Sequence, residues 1–214
     1  MNFQRVEFTV GDDQIEGILS TPNLPFKDVA LLLHPHPLYG GNRDDRVIRF
    51  ADDVLLDLGY TTFRFNFRGV GSQADYRGFS GAIQDAIGAS KALLHKTNRD
   101  SLAIVGYSFG GSVALHLASS AKADFLVTFS ASLDLAKEAT SGLEPLSDIQ
   151  CPALMFHGTN DNMVPFDDMR TLAKILGRSD VQAVALKGEG HFYLTHLDSI
   201  GTYLREFLKE TAED

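Results

Sequence analysis

The chain reads as an α/β protein, a mostly parallel, eight-stranded sheet with helices on both faces. Three observations carry that reading. Six short, continuous apolar runs follow Val29, separated by stretches whose apolar residues recur at helical spacing. The first twenty residues instead alternate apolar with polar side chains, the pattern of strands with one wet face. The length of 214 residues suits one domain, so residues 1–214 are expected to fold as a unit.

At the start of the chain, Val6, Phe8 and Val10 alternate with Arg5, Glu7 and Thr9. "GDDQ" then turns the chain into Ile15, Gly17 and Leu19, which predicts an antiparallel hairpin. The apolar runs are "VALLLH", "TTFRFNF", "SLAIVGY", "FLVTFSA", "ALMFHG" and "QAVALKG". Between the first two, Val47, Phe50, Ala51, Val54, Leu55 and Leu58 follow a helical period and Gly59 stops it. Further amphipathic stretches fill "GAIQDAIGASKALLHK", "GGSVALHLASSA" and "DDMRTLAKILG", and a last one runs through Leu197, Ile200, Leu204, Phe207 and Leu208. Strand and helix in alternation imply right-handed crossovers and a parallel sheet covered on both faces. Such sheets bind ligands beyond the carboxyl ends of their strands.

A net charge of −9 with no run of Lys or Arg excludes nucleic acid and an anionic membrane as partners, since both need clustered positive charge. A small molecule is the expected ligand, and the composition is compatible with a monomer or a homodimer. The single cysteine, Cys151, forms no internal disulfide and no multi-cysteine metal cage; preceding Pro152 at a strand entrance, it reads as an inert buried thiol. The N-terminus has no apolar core of signal-peptide length, and no stretch reaches the roughly 18 apolar residues of a membrane span, so the expected compartment is the cytoplasm.

The residues that follow three of the runs suggest the chemistry. Ser108 follows "LAIVGY", Asp161 follows "ALMFHG", and His191 follows "QAVALKG". A serine hydroxyl is a weak nucleophile at neutral pH, so an imidazole must take its proton during attack. A carboxylate fixes the imidazole's tautomer and steadies the cation that forms. Glycines around Ser108 in "GYSFGG" allow a sharp strand-to-helix turn that raises its oxygen and aims a helix N-terminus at it. The N–H of Phe109 is then one candidate oxyanion donor. The second is expected in the loop "HPHPLYGGN", where Pro35 and Pro37 have no N–H and His36 is the first residue that does. Gly40 and Gly41 let that loop fold back toward the site. This chemistry needs no cofactor and no metal.

These residues, in the order serine, aspartate, histidine, resemble the α/β-hydrolase superfamily. "HPHPLYGGN" and "FRFNFRGVGSQ" are similar to a group of small, lidless bacterial α/β-hydrolases related to dienelactone-hydrolase-like and acyl-peptidase-like enzymes. The resemblance runs from about Val6 to Phe207. It implies Ser108 as nucleophile, His191 as base, Asp161 as acid, and ester, thioester or amide hydrolysis. Dienelactone hydrolases proper carry cysteine where this chain has Ser108, and the HGGG loop of many lipases and esterases is absent. Only about 20 residues separate "FLVTFSA" from the next run, too few for the usual helical cap, which implies a site open to water.

Other readings compete at several positions. Asp167 and Asp168 could supply the carboxylate, but they follow Pro165 and suit a first helical turn. His196 could be the base, but it falls where a helix should start. His34 and His36 could suggest a metal; two histidines around one proline more often fix a turn. Arg64 and Arg68, read within the "FRFNFRG" strand, would need buried ion-pair partners. Tyr39 and Tyr107 flank the site, and either could line the pocket or pack in the core; we assign the substrate-binding role to Tyr39. The sequence reading is thus a serine hydrolase of short or medium acyl esters. Its alternatives are a thioesterase or amidase on the same three groups, or a binding protein without turnover.

Overall fold

Alternating side chains at the start of the chain form β1 (Asn2–Val10) and β2 (Asp13–Thr21), an antiparallel hairpin whose turn has Gly11 at φ 60°. Phe8, Ile15 and Leu19 are its buried members. The computed structural model describes residues 1–71, 74–178 and 180–211.

All six apolar runs are strands: β3 (Val29–Leu33), β4 (Thr61–Phe65), β5 (Leu102–Tyr107), β6 (Ala123–Phe129), β7 (Ala153–Gly158) and β8 (Val181–Leu186). The eight strands lie in the order β1-β2-β4-β3-β5-β6-β7-β8. β1/β2 and β2/β4 are antiparallel, and every other pair is parallel. The helices are α1 (Arg46–Asp57), α2 (Gly78–Thr97), α3 (Phe109–Ala118), α4 (Leu133–Lys137), α5 (Phe166–Leu176) and α6 (Leu197–Glu210).

The uninterrupted apolar runs reflect burial on both faces. Leu31, Ile104 and Leu126 pack with Ala86 of α2, Val113 of α3 and Leu172 of α5. Leu32, Val105 and Val127 pack on the other face with Leu55 of α1 and Ile200 and Leu204 of α6. β8 departs from this pattern: Gln182, Ala183 and Ala185 are exposed, because β8 is the edge strand with a neighbour on one side only.

Arg64 and Arg68 have the buried partners that the sequence demanded, from different elements. Arg64 in β4 places Nε 2.8 Å from Asp52 Oδ2 on α1, a close ion pair too misaligned to count as a hydrogen bond. Arg68 is not in the strand as read from the sequence; β4 ends at Phe65, and Arg68 lies in the loop beyond it. There its Nε donates to Asp85 of α2 at 2.7 Å and its Nη1 to Asp13 of β2 at 2.8 Å. That loop is thereby tied to both the hairpin and a helix.

Between β6 and β7 the chain holds only α4 and a 3₁₀ turn, Glu144–Asp148, so no large cap covers the carboxyl edge of the sheet. The architecture is that of an α/β-hydrolase fold, as the sequence predicts.

Candidate active site

Ser108 is the single residue between β5 and α3, and its backbone sits at φ 54°, ψ −116°. A side chain in that region is strained by about 1–3 kcal/mol and must be held there by its surroundings. Its N–H donates to Phe129 O on β6 at 2.7 Å, and its carbonyl accepts from Ser112 N at 3.1 Å. Close approach of strand and helix depends on two glycines. A Cβ on Gly106 would lie 2.2 Å from Gly110 O, and one on Gly110 would lie 2.1 Å from Leu33 O. Any side chain at either position would force the turn open.

The three residues delivered by separate strand ends meet. Ser108 Oγ lies 3.0 Å from His191 Nε2, and His191 Nδ1 lies 2.7 Å from Asp161 Oδ2. The partners fix the tautomer: Nδ1–H is donated to the carboxylate, which leaves the Nε2 lone pair facing the Ser108 hydroxyl. Asp161 Oδ1 accepts the N–H groups of Met163 and Val164, each at 2.9 Å. Burial alone would raise the Asp161 pKa, but hydrogen bonds from His157, His191 and these two amides hold it far below the usual carboxylate range. It is therefore anionic wherever the protein is folded.

His157 and Glu189 have roles that the sequence did not reveal. His157 is fully buried in β7, with Nε2 3.1 Å from Val164 O and 3.4 Å from Asp161 Oδ2. Its ring therefore meets the same carboxylate oxygen that His191 contacts. Glu189, 3% exposed, gathers the loop that carries His191. Oε1 accepts Gly190 N and Leu194 N, both at 3.0 Å. Oε2 accepts Thr195 N at 2.9 Å, Thr195 Oγ1 at 2.8 Å and His196 N at 2.8 Å. Burial disfavours its charge, but these donors and the His196 ring prevail and bring its pKa down to about 2. No motif announces this, because most of the donors are backbone amides. The loop is pinned further by Arg46, whose Nη2 donates to Phe192 O and Tyr193 O at 2.7 and 2.6 Å.

The competitors fall elsewhere. Asp167 and Asp168 occupy the first turn of α5, where Asp168 accepts the Leu133 amide at 2.9 Å. His196 caps the start of α6, with Nδ1 2.9 Å from Glu189. His34 uses both ring nitrogens on the protein: Nδ1 donates to Pro35 O at 2.6 Å, and Nε2 accepts Phe67 N at 3.0 Å. It fixes a turn, and burial pulls its pKa down to about 4. Among the described residues, no group of three or more His, Cys, Asp and Glu side chains is gathered to hold a metal ion. Cys151 is buried, which pushes its thiol pKa up to about 11. Tyr107 answers to both readings: it is 2% exposed with its hydroxyl donating to His191 O at 2.8 Å, and it is among the residues lining the cavity beside Ser108.

The "HPHPLYGGN" loop folds as expected against the serine turn. His36 precedes a 3₁₀ turn, Pro37–Tyr39, and its ring lies 4.6 Å from that of Phe109. Gly41 is pressed against Pro35, where a Cβ would lie 2.2 Å from the carbonyl oxygen. Tyr39, 84% exposed, packs its ring 4.7 Å from His36 at the cavity mouth. The cavity has a volume of about 700 Å³, with Ser108 and His191 among its lining. Its walls include Tyr39, Tyr76, Phe79, Val164 and Phe192, and the lining contains no Lys or Arg among the described residues.

Residues 69–203, which include Ser108, Asp161 and His191, match the Dienelactone hydrolase family. The chain belongs to that family. The uncharacterized protein RP471 of Rickettsia prowazekii is 30% identical over 213 residues, covering 95% of this chain and 88% of its own. An α/β serine hydrolase homologue from Coxiella burnetii superposes with a TM-score of 0.84 at 26% identity, over 95% of this chain and 96% of that one. XC6422 from Xanthomonas campestris, an α/β serine hydrolase without a lid, has a TM-score of 0.83 at 22% identity, over 98% and 95% of the two chains. That likeness is one of fold. As a member of the dienelactone hydrolase family with these neighbours, the protein is an α/β hydrolase. No helix among the described residues is long and apolar enough to cross a membrane.

Proposed function

We propose that the protein hydrolyses short or medium acyl esters through an acyl-enzyme on Ser108, with His191 as base and the Asp161 carboxylate orienting it. The observation that carries this is the unbroken chain Ser108 Oγ, His191, Asp161, at 3.0 and 2.7 Å, with Ser108 and His191 on the lining of a cavity of about 700 Å³. In acylation, His191 Nε2 takes the hydroxyl proton as Oγ attacks the carbonyl carbon. The negative charge on the carbonyl oxygen is held by the N–H groups of Phe109 and His36 and by the N-terminal end of α3. Collapse of that intermediate expels the alcohol, which takes the proton from His191. A water molecule then repeats the sequence on the acyl-enzyme and restores Ser108. Tyr39 borders the bound acyl or alcohol group at the mouth.

Dienelactone hydrolases proper carry cysteine where this chain has Ser108, which sets their lactone substrate aside here; a serine nucleophile depends on a base in hydrogen-bond contact, which His191 supplies. The test is a panel of p-nitrophenyl esters of increasing acyl length with an aryl amide beside them. Turnover of short and medium esters, abolished in Ser108→Ala, is the expected result. Ester turnover retained in Ser108→Ala would overturn the nucleophile assignment, and turnover of the amide alone would overturn the ester preference.

A further inference from the structure

The charge around the cavity is one-sided. Its lining carries the carboxyl groups of Asp45, Asp134 and Glu138 and no Lys or Arg among the described residues. Asp134 is paired with Lys137 at 3.0 Å, and Asp45 is occupied in capping α1, with Oδ1 accepting Val47 N at 2.9 Å. Glu138, at the end of α4, has no cation within ion-pair distance among the described residues. It shares the cavity lining with His36 and Tyr76. Burial lowers the His36 pKa and Glu138 partly restores it; burial, then Glu138, raises the Tyr76 pKa. The rings of Tyr39 and Tyr76 flank His36 at 4.7 and 5.5 Å, so the part of the lining around His36 is aromatic.

This arrangement has a cost in the proposed reaction. An oxyanion forming beside the His36 amide would meet the negative charge of Glu138, unless a positive charge on the substrate neutralises it. Such a charge would also meet aromatic rings in the same cavity, surroundings that favour a quaternary ammonium. An anionic substrate would be repelled both on entry and in the transition state. We propose that Glu138 makes this site selective for esters that carry a fixed positive charge and selective against esters that carry a carboxylate. The inference rests on the cavity being the site of ester hydrolysis.

The test is kcat/KM on two sets of esters matched in shape. The first varies the acyl group of p-nitrophenyl esters: 4-(trimethylammonio)butanoate, its uncharged 5,5-dimethylhexanoate isostere, and hemiglutarate. The second varies the alcohol: choline butyrate against 3,3-dimethylbutyl butyrate. In at least one set the cationic ester should exceed its neutral isostere by about 5- to 10-fold at low salt, and hemiglutarate should fall below the neutral ester by a similar factor. The ratios should shrink in about 0.5 M NaCl and in Glu138→Gln, and hemiglutarate should become the better substrate in Glu138→Lys. Neutral esters turned over with no cation preference in either set would overturn this inference and leave ester hydrolysis standing. A preference unchanged in Glu138→Gln would overturn the assignment to Glu138. No turnover of any ester, with Ser108 inert to an organophosphonate, would remove the hydrolysis on which the inference rests.

Discussion

Ser108 combines a strained backbone with a hydroxyl in contact with a base. At φ 54° a Cβ is unfavourable, and the turn is held by the Phe129 and Ser112 hydrogen bonds rather than by its own preference. Strain at this position makes a prediction independent of catalysis. Glycine normally costs about 0.5–1 kcal/mol relative to alanine in ordered structure. At position 108 the order should reverse, with Ser108→Gly more stable than Ser108→Ala by about 1 kcal/mol in urea unfolding. An alanine variant more stable than the glycine variant would mean the turn is not strained. The sequence signalled this residue through its place between an apolar run and a helical stretch, with Asp161 and His191 after later runs; the glycines at 106 and 110 alone would fit any tight bend. It placed Tyr107 beside the site but did not show that its hydroxyl donates to the backbone carbonyl of His191.

At the scale of elements, the base is held by a loop more than by a strand or helix. Residues 190–196 lie between β8 and α6, and Glu189 supplies the acceptors for four of their amides. Glu189→Gln keeps the shape but replaces one acceptor oxygen by an amide NH2 facing N–H donors. The variant should unfold at lower urea, by about 3 kcal/mol. Its kcat should drop about 10- to 100-fold with KM nearly unchanged, since a displaced imidazole affects proton transfer more than binding. Wild-type kcat in a destabilised variant would show that the loop does not position the base. The strands themselves were legible because continuous apolar runs of five or six residues suit a sheet buried on both faces. Arg68 was misplaced because "FRFNFRG" continues the alternation past the strand, and only the partners Asp13 and Asp85 reveal that the chain has turned into a loop. Glu189 and His157 were not legible at all: one acts on backbone amides, and the other sits inside a run that reads as ordinary core.

Across the whole molecule, six parallel strands with a common direction bring residues 83 positions apart into hydrogen-bond contact. Strand alternation predicts that direction, but not that β4 inserts between the hairpin and β3, because side-chain pattern does not encode neighbour order. The interior also makes the fold sensitive to acid. Buried His34 takes a proton only near pH 4 when folded but near 6.5 when unfolded, so the unfolded chain binds more protons between these values. Its contribution, about 3 kcal/mol, is complete above pH 6.5 and is lost as the pH falls toward 4. His116, lowered by burial, acts in the same direction, while Asp52 and Asp85, raised by burial, partly offset the loss. Unfolding free energy measured in urea should therefore decline from about pH 6.5 to about pH 4.5; a flat profile would mean His34 is not buried neutral. The most direct test of the convergence of Ser108, His191 and Asp161 is labelling of the native protein with an organophosphonate, followed by mass spectrometry of its peptides. One adduct on Ser108, absent in Ser108→Ala and slowed strongly in Asp161→Asn, is the predicted result. A folded protein that takes no adduct, or takes it at another residue, would contradict the account.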